Sequence, residues 1–160
     1  MIRIYLDVDD VLNVAAGYLI ETVPTSSGPV RVRWLPARTH RLAMMSQRPD
    51  VEVVWASSWG EAAQEVLGPL WGIESVGFLP VLDTNADREQ AWKAEAVAEL
   101  QSASPSRFVW IDDLAITDSA VAGKWWQERV EAGEALLFRV QGREGITRAQ
   151  LDEIEQFLEG

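Results

Sequence analysis

One run, Ile2-Arg3-Ile4-Tyr5-Leu6-Asp7-Val8-Asp9-Asp10-Val11-Leu12-Asn13, constrains this chain more than any other. An apolar, β-prone segment delivers three carboxylates within four residues, and the chain then turns apolar again. Side chains alternate along a strand, so Asp7 and Asp9 project alike only if the strand ends near Asp7 and the chain loops over. Like charges clustered in this way cost free energy unless a cation or a proton neutralises them. A second pair, Asp112 and Asp113, follows the apolar run Val109-Trp110-Ile111. Two strand ends carrying acids point to one divalent-metal site, with the first acid a candidate nucleophile.

The 160 residues are expected to form one domain, 1–160, large enough to bury a real core. No apolar stretch is long enough to span a bilayer, so no membrane partner is expected. The first strand is expected to start at residue 2, which leaves no room for a signal peptide, and the chain reads as cytoplasmic. Cysteine is absent, which excludes disulfides, thiolate zinc sites and a cysteine nucleophile. The single histidine, His40, argues against a histidine-based metal site or a Ser-His-Asp triad. It reads as a surface helix residue.

The formal net charge of -11 opposes nonspecific binding along nucleic-acid backbones, where basic surface supplies affinity. The charge is uneven. Five of the 14 basic residues, Arg31, Arg33, Arg38, Arg41 and Arg48, lie in one acid-free stretch. That stretch is either a solvated basic face or an anion-attracting rim beside the active site.

Short β-rich runs alternate with helical patterns, which argues for βα units and a mainly parallel five-stranded sheet. Strands are expected near 2–7, 51–57, 75–82, 107–112 and 135–140. Helices are expected near 36–47, 59–68, 86–101, 117–131 and 148–158. Residues 17–34 differ: two β-prone segments flank Pro24-Thr25-Ser26-Ser27-Gly28 and read as a β-hairpin inserted after the first strand. Thr147 and Gln150 form a capping box ahead of the last helix, where Leu151, Ile154, Phe157 and Leu158 repeat with helical period. Ser58 and Glu61 give a similar signal at the second helix, and Asp118 reads as a helix-start residue.

In a parallel α/β sheet, functional residues gather at the carboxyl ends of strands. Asp7 with Asp9, Ser57, and Asp112 with Asp113 fall there, and Lys93 lies on the helix leading to the next strand. These types suit phosphoryl transfer. A carboxylate attacks phosphorus, and a second carboxyl protonates the leaving oxygen. A hydroxyl and an ammonium hold phosphate oxygens, and Mg²⁺ neutralises the acids.

On these residues the chain resembles the haloacid dehalogenase (HAD) superfamily, over nearly its whole length and in the family order of motifs. Asp7-Val8-Asp9 matches the first motif, whose first Asp is the family nucleophile and whose second is its general acid/base. Ser57, after Val53-Val54-Trp55-Ala56, matches the second motif. Lys93 matches the third, and Asp112-Asp113 the acidic fourth, which holds Mg²⁺. The resemblance also implies that the backbone carbonyl of Asp9 binds the metal. It implies a Rossmann-like three-layer sandwich, with the hairpin at about 17–34 as the family's flap and no large cap domain. The Trp110-Ile111-Asp112-Asp113 run and Gly145-Ile146-Thr147 resemble small bacterial and phage members, some of which are associated with RNA repair.

The expected activity is that of a Mg²⁺-dependent phosphatase with an aspartyl-phosphate intermediate. An open site admits a nucleotide or a phosphorylated nucleic-acid end; small metabolites and phosphoproteins are the alternative substrates. A noncatalytic binding protein that keeps the fold is a rival, as is a receiver domain, which needs its acceptor Asp on a middle strand. Ser58 competes with Ser57 for the phosphate. Arg31, Arg33, Trp34 and Trp59 are candidates for the substrate rim, the two tryptophans against the plainer reading of core packing.

Overall fold

The structure is a computed structural model that describes residues 1–81, 89–116 and 123–160. The starts of the helices expected at 86–101 and 117–131, Asp118, and the end of the strand expected at 75–82 lie outside those residues. Five parallel strands form the main sheet in the order β5-β4-β1-β6-β7. They are β1 (Ile2–Leu6), β4 (Val51–Trp55), β5 (Gly77–Phe78), β6 (Arg107–Asp112) and β7 (Ala135–Arg139). β2 (Leu19–Thr25) and β3 (Gly28–Trp34) pair separately as the antiparallel hairpin. The helices are α1 (Pro36–Ser46), α2 (Gly68–Trp71), α3 (Glu89–Ala103), α4 (Lys124–Glu131) and α5 (Arg148–Glu159). A π-helical segment, Ala63–Leu67, leads into α2.

Strand alternation divides the core into two layers around the sheet. Ile2, Ile4 and Leu6 of β1 point with Val53, Trp55, Val109 and Ile111 to the side covered by α1, α2 and α5. Tyr5, Val54, Phe108 and Trp110 point to the other side, where Trp92 and Val97 of α3 and Trp126 of α4 cover them. The fold is therefore a three-layer α/β sandwich of Rossmann-like type. The flap adds Val23, Val32 and Trp34 to the first layer.

Two expectations need correction. The strand near 75–82 is only Gly77–Phe78, because it is an edge that pairs with just Val54 and Trp55. The second helix is not capped by Ser58. Ser57 Oγ instead accepts the Trp59 N–H at 3.3 Å, and a turn through Gly60 (φ +52°) precedes the helix. At α5 the capping box is present: Thr147 Oγ1 accepts the Gln150 N–H at 3.2 Å and Gln150 Oε1 accepts the Thr147 N–H at 2.9 Å. Gly145 (φ +66°) lets the chain cross the loop after β1, since a Cβ there would lie 2.1 Å from the Val11 carbonyl oxygen. Among the described residues no helix is long and apolar enough to cross a membrane.

Candidate active site

Strand register builds the centre of the site. Leu6 pairs with Trp55 on one side and Ile111 on the other, and the Asp7 N–H donates to the Ile111 carbonyl at 3.0 Å. Asp7 and Asp112 thus stand side by side at the carboxyl ends of the two central strands. By alternation both point with Tyr5 and Trp110 to the side of the sheet covered by α3, which carries Lys93. The Lys93 ammonium bridges them, 2.9 Å from Asp7 Oδ2 and 2.7 Å from Asp112 Oδ2. All three side chains are buried. Asp112 Oδ1 accepts the Leu114 and Ala115 N–H groups at 3.0 and 2.7 Å, which ties the following turn to the strand end. Asp7 Oδ1 accepts the Val8 N–H at 2.8 Å.

Half-buried Asp113 completes a carboxylate cluster. Ligand oxygens of Asp7, Asp112 and Asp113 lie within 4.8 Å of one another. Burial, and then the Asp112 charge, push the Asp7 carboxyl well above the ordinary carboxylate range, against the pull of Lys93. The same two causes raise Asp113. Burial works against the Lys93 charge, but Asp7 and then Asp112 outweigh it and raise the ammonium above a free lysine. One ammonium does not neutralise three carboxylates. Hard oxygen donors, closely grouped and short of positive charge, fit a divalent cation such as Mg²⁺.

Asp9 is not part of that cluster. Its side chain is exposed, and its Oδ2 accepts the Trp59 indole N–H at 2.9 Å while Oδ1 accepts the Asn13 Nδ2–H at 2.8 Å. Asn13 Oδ1 in turn accepts the Arg33 backbone N–H of the flap at 2.9 Å. Asp10 takes the left-handed conformation (φ +59°) that lets the loop fold back, and its N–H donates to the Asn13 carbonyl at 3.0 Å. The chain after β1, the turn after β4 and the flap are thus linked through one carboxylate. Sequence reasoning missed Asn13, because nothing in its spacing from Asp9 tells a loop contact from a solvated amide.

Ser57 is buried two residues past the end of β4, whereas Ser58 is exposed. Ser57 and Ala56 follow the register that joins the Ala56 N–H to the Leu6 carbonyl at 2.9 Å. Trp59 is half-buried against the core. Trp34 is not a rim residue: it is 8% exposed and meets Trp71 edge-on at 6.2 Å.

The arginine stretch does not act as one patch. Arg41 pairs with Asp152 and Glu155 of α5 at 2.7 and 2.8 Å, Arg48 with Asp50 at 3.2 Å, and Arg38 with Glu144 at 3.6 Å. Arg31 and Arg33 remain exposed on β3. They alternate with Val30, Val32 and Trp34, and Val32 and Trp34 are buried in the core. Arg31 and Arg33 therefore occupy the outer face of the flap, turned from the core and from the side that Val30 shares with Trp59.

Between the flap and the turn after β4 lies a cavity of about 250 Å³, lined by Thr25, Ser26, Ser27, Val30, Ser58, Trp59 and Ala62.

Comparison with known proteins gives one family match. The model of the HAD domain in Swiss Army Knife RNA repair proteins matches residues 3–151. No curated protein and no solved structure gives a match. The matched span runs from β1 into the start of α5 and so takes in both acid-bearing strand ends, the flap and Lys93. On that match the chain belongs to the HAD domain family of Swiss Army Knife RNA repair proteins.

Proposed function

We propose that this protein is a HAD-type phosphatase that hydrolyses phosphomonoesters through an aspartyl-phosphate on Asp7. The observation that carries the reading is the Asp7–Lys93–Asp112 constellation at the two central strand ends, with Asp113 beside it. Membership of the HAD family supports the reaction class.

Asp7, Asp112 and Asp113, with the backbone carbonyl of Asp9, would hold Mg²⁺. When bound, the ion supplies positive charge that lets a phosphate dianion approach the carboxylates. An Asp7 carboxylate oxygen forms a bond to phosphorus, and the bond from phosphorus to the leaving oxygen breaks. Asp9 gives its proton to that leaving oxygen. In the second step Asp9 takes a proton from water, whose oxygen bonds to phosphorus as the acyl-phosphate bond to Asp7 breaks. Lys93 has three N–H donors and spends two on Asp7 and Asp112, so one is left for a phosphoryl oxygen. Ser57 spends acceptor capacity on the Trp59 N–H and keeps its hydroxyl proton for another.

The substrate we propose is a nucleotide or a phosphorylated RNA end, in line with the RNA repair proteins in which this family's domains occur. Phosphate release from such substrates, measured with Mg²⁺ and with EDTA, tests the proposal. Metal-dependent release that is lost in Asp7→Asn supports it, and full turnover in chelator overturns it.

A further inference from the structure

We propose that the cavity between the flap tip and Trp59 is a leaving-group subsite that takes an uncharged nucleoside moiety. The inference rests on the phosphatase reading and names what the enzyme holds beyond the phosphate. Its argument is positional. The leaving oxygen must reach Asp9, and Asp9 Oδ2 is hydrogen-bonded to the indole of Trp59, which is a wall of this cavity. The body of the leaving alcohol therefore extends toward the space that Trp59 borders.

The lining sets the chemistry. Among the described residues it holds no charged side chain: four carry hydroxyls (Thr25, Ser26, Ser27 and Ser58), two are aliphatic (Val30 and Ala62), and one is the indole. Such a surface pays the desolvation of neutral hydroxyls with hydrogen bonds and offers a flat apolar face to a ring. It supplies no cation for a second phosphate or a carboxylate. The paired arginines and the outward Arg31 and Arg33 do not line it either. Small-molecule pockets usually measure about 300–1,000 Å³. At about 250 Å³ this one lies just below that range, which leaves room for at most one nucleoside, so further nucleotides of a strand would lie outside it. Hydroxyls beside an aromatic face match a ribose with its base.

The test compares kcat/KM for adenosine 3′- and 5′-monophosphate with that for methyl phosphate, whose alkoxide also needs the acid but is too small to fill the cavity. The wild type, Ala62→Phe and Ser27→Tyr are measured with Mg²⁺. Ser27 is exposed at the flap tip, so its variant keeps the test open if the helix variant misfolds. Wild type is expected to prefer at least one nucleotide by tenfold or more, on the order of what one good pocket contact supplies. Each variant is expected to lose at least about ten times more on that nucleotide than on methyl phosphate. Equal losses on both substrates, no loss on either, or a wild type with no nucleotide preference would overturn the subsite while leaving the phosphatase intact. Release of phosphate from none of the three compounds would instead overturn the phosphatase reading, and the subsite with it.

Discussion

Trp59 donates its indole N–H to the Asp9 carboxylate across 2.9 Å, joining the turn after β4 to the loop after β1. A donor placed there fixes the direction in which Asp9 presents its other lone pairs. It also makes the tryptophan that directly follows Ser57 and Ser58 a positioning residue for the proposed proton transfer.

Trp59→Phe should therefore hurt substrates that need help from an acid more than those that do not. A hydrogen bond to a charged group contributes about 1.5–3 kcal/mol, or roughly ten- to a hundredfold. We expect kcat to fall by about tenfold on an alkyl phosphate and by much less on p-nitrophenyl phosphate. Asp9→Asn, measured alongside, should show the same selectivity more strongly. Equal effects of Trp59→Phe on the two substrates would reduce Trp59 to a packing residue.

Asn13 extends the link to the flap, because its Oδ1 accepts the Arg33 N–H. Asn13→Ala should lower kcat with the same leaving-group dependence as Trp59→Phe, since each removes one of the two donors on Asp9. Asn13→Asp, which keeps the flap contact but loses the donor, should not restore the rate. Recovery in Asn13→Asp would show that the flap contact alone matters.

The central acids set the pH dependence of stability. Asp7 and Asp113 are both raised above 3.8 when folded, chiefly by burial and then by Asp112. A carboxyl raised by folding binds more protons in the folded state, so stability falls as pH rises from 3.8 through the raised values. Lys93 acts at the alkaline end: raised above 10.5, it contributes fully below 10.5 and is lost as pH climbs through its folded value. Without metal, Tm should therefore fall as pH rises above about 4. Asp7→Asn should flatten that slope, and Mg²⁺ should flatten it in the wild type. A metal-free Tm that rises over the same interval would contradict the raised carboxyls.

Lys93→Met removes the ammonium that bridges Asp7 and Asp112 and leaves two buried carboxylates without it. Breaking a buried ion pair from one side costs about 3–5 kcal/mol. Denaturant unfolding of metal-free Lys93→Met should show a loss of that order, partly recovered in Mg²⁺. A loss below about 1 kcal/mol would mean that the acids are already protonated in the wild type.

The sequence discloses the frame and the ends of its central strands. Near-continuous apolar, β-prone runs ending at Leu6, Trp55 and Ile111 fix β1, β4 and β6, and parallel register then brings Asp7 and Asp112 together. The flap is equally legible, because Ser26 and Ser27 sit between two β-prone runs. Other features depend on tertiary contacts that no local pattern encodes. Ser57 and Ser58 offer the same hydroxyl, and only the turn decides that Ser57 is buried and bonds the Trp59 N–H. The arginines look like one basic patch until α5 comes to lie against α1 and gives Arg41 its two acids. Trp34 and Trp59 both border loops in the sequence, yet the first packs on Trp71 and the second bonds Asp9.

The central claim is that Asp7 becomes phosphorylated. Acid-quenching the protein during turnover and mapping the peptides by mass spectrometry tests it most directly. The account predicts a phosphoryl adduct on Asp7 that accumulates with substrate and Mg²⁺ and is absent in Asp7→Asn, which also releases no phosphate. Undiminished phosphate release by pure Asp7→Asn, or an adduct on another residue that turns over at the steady-state rate, would contradict it.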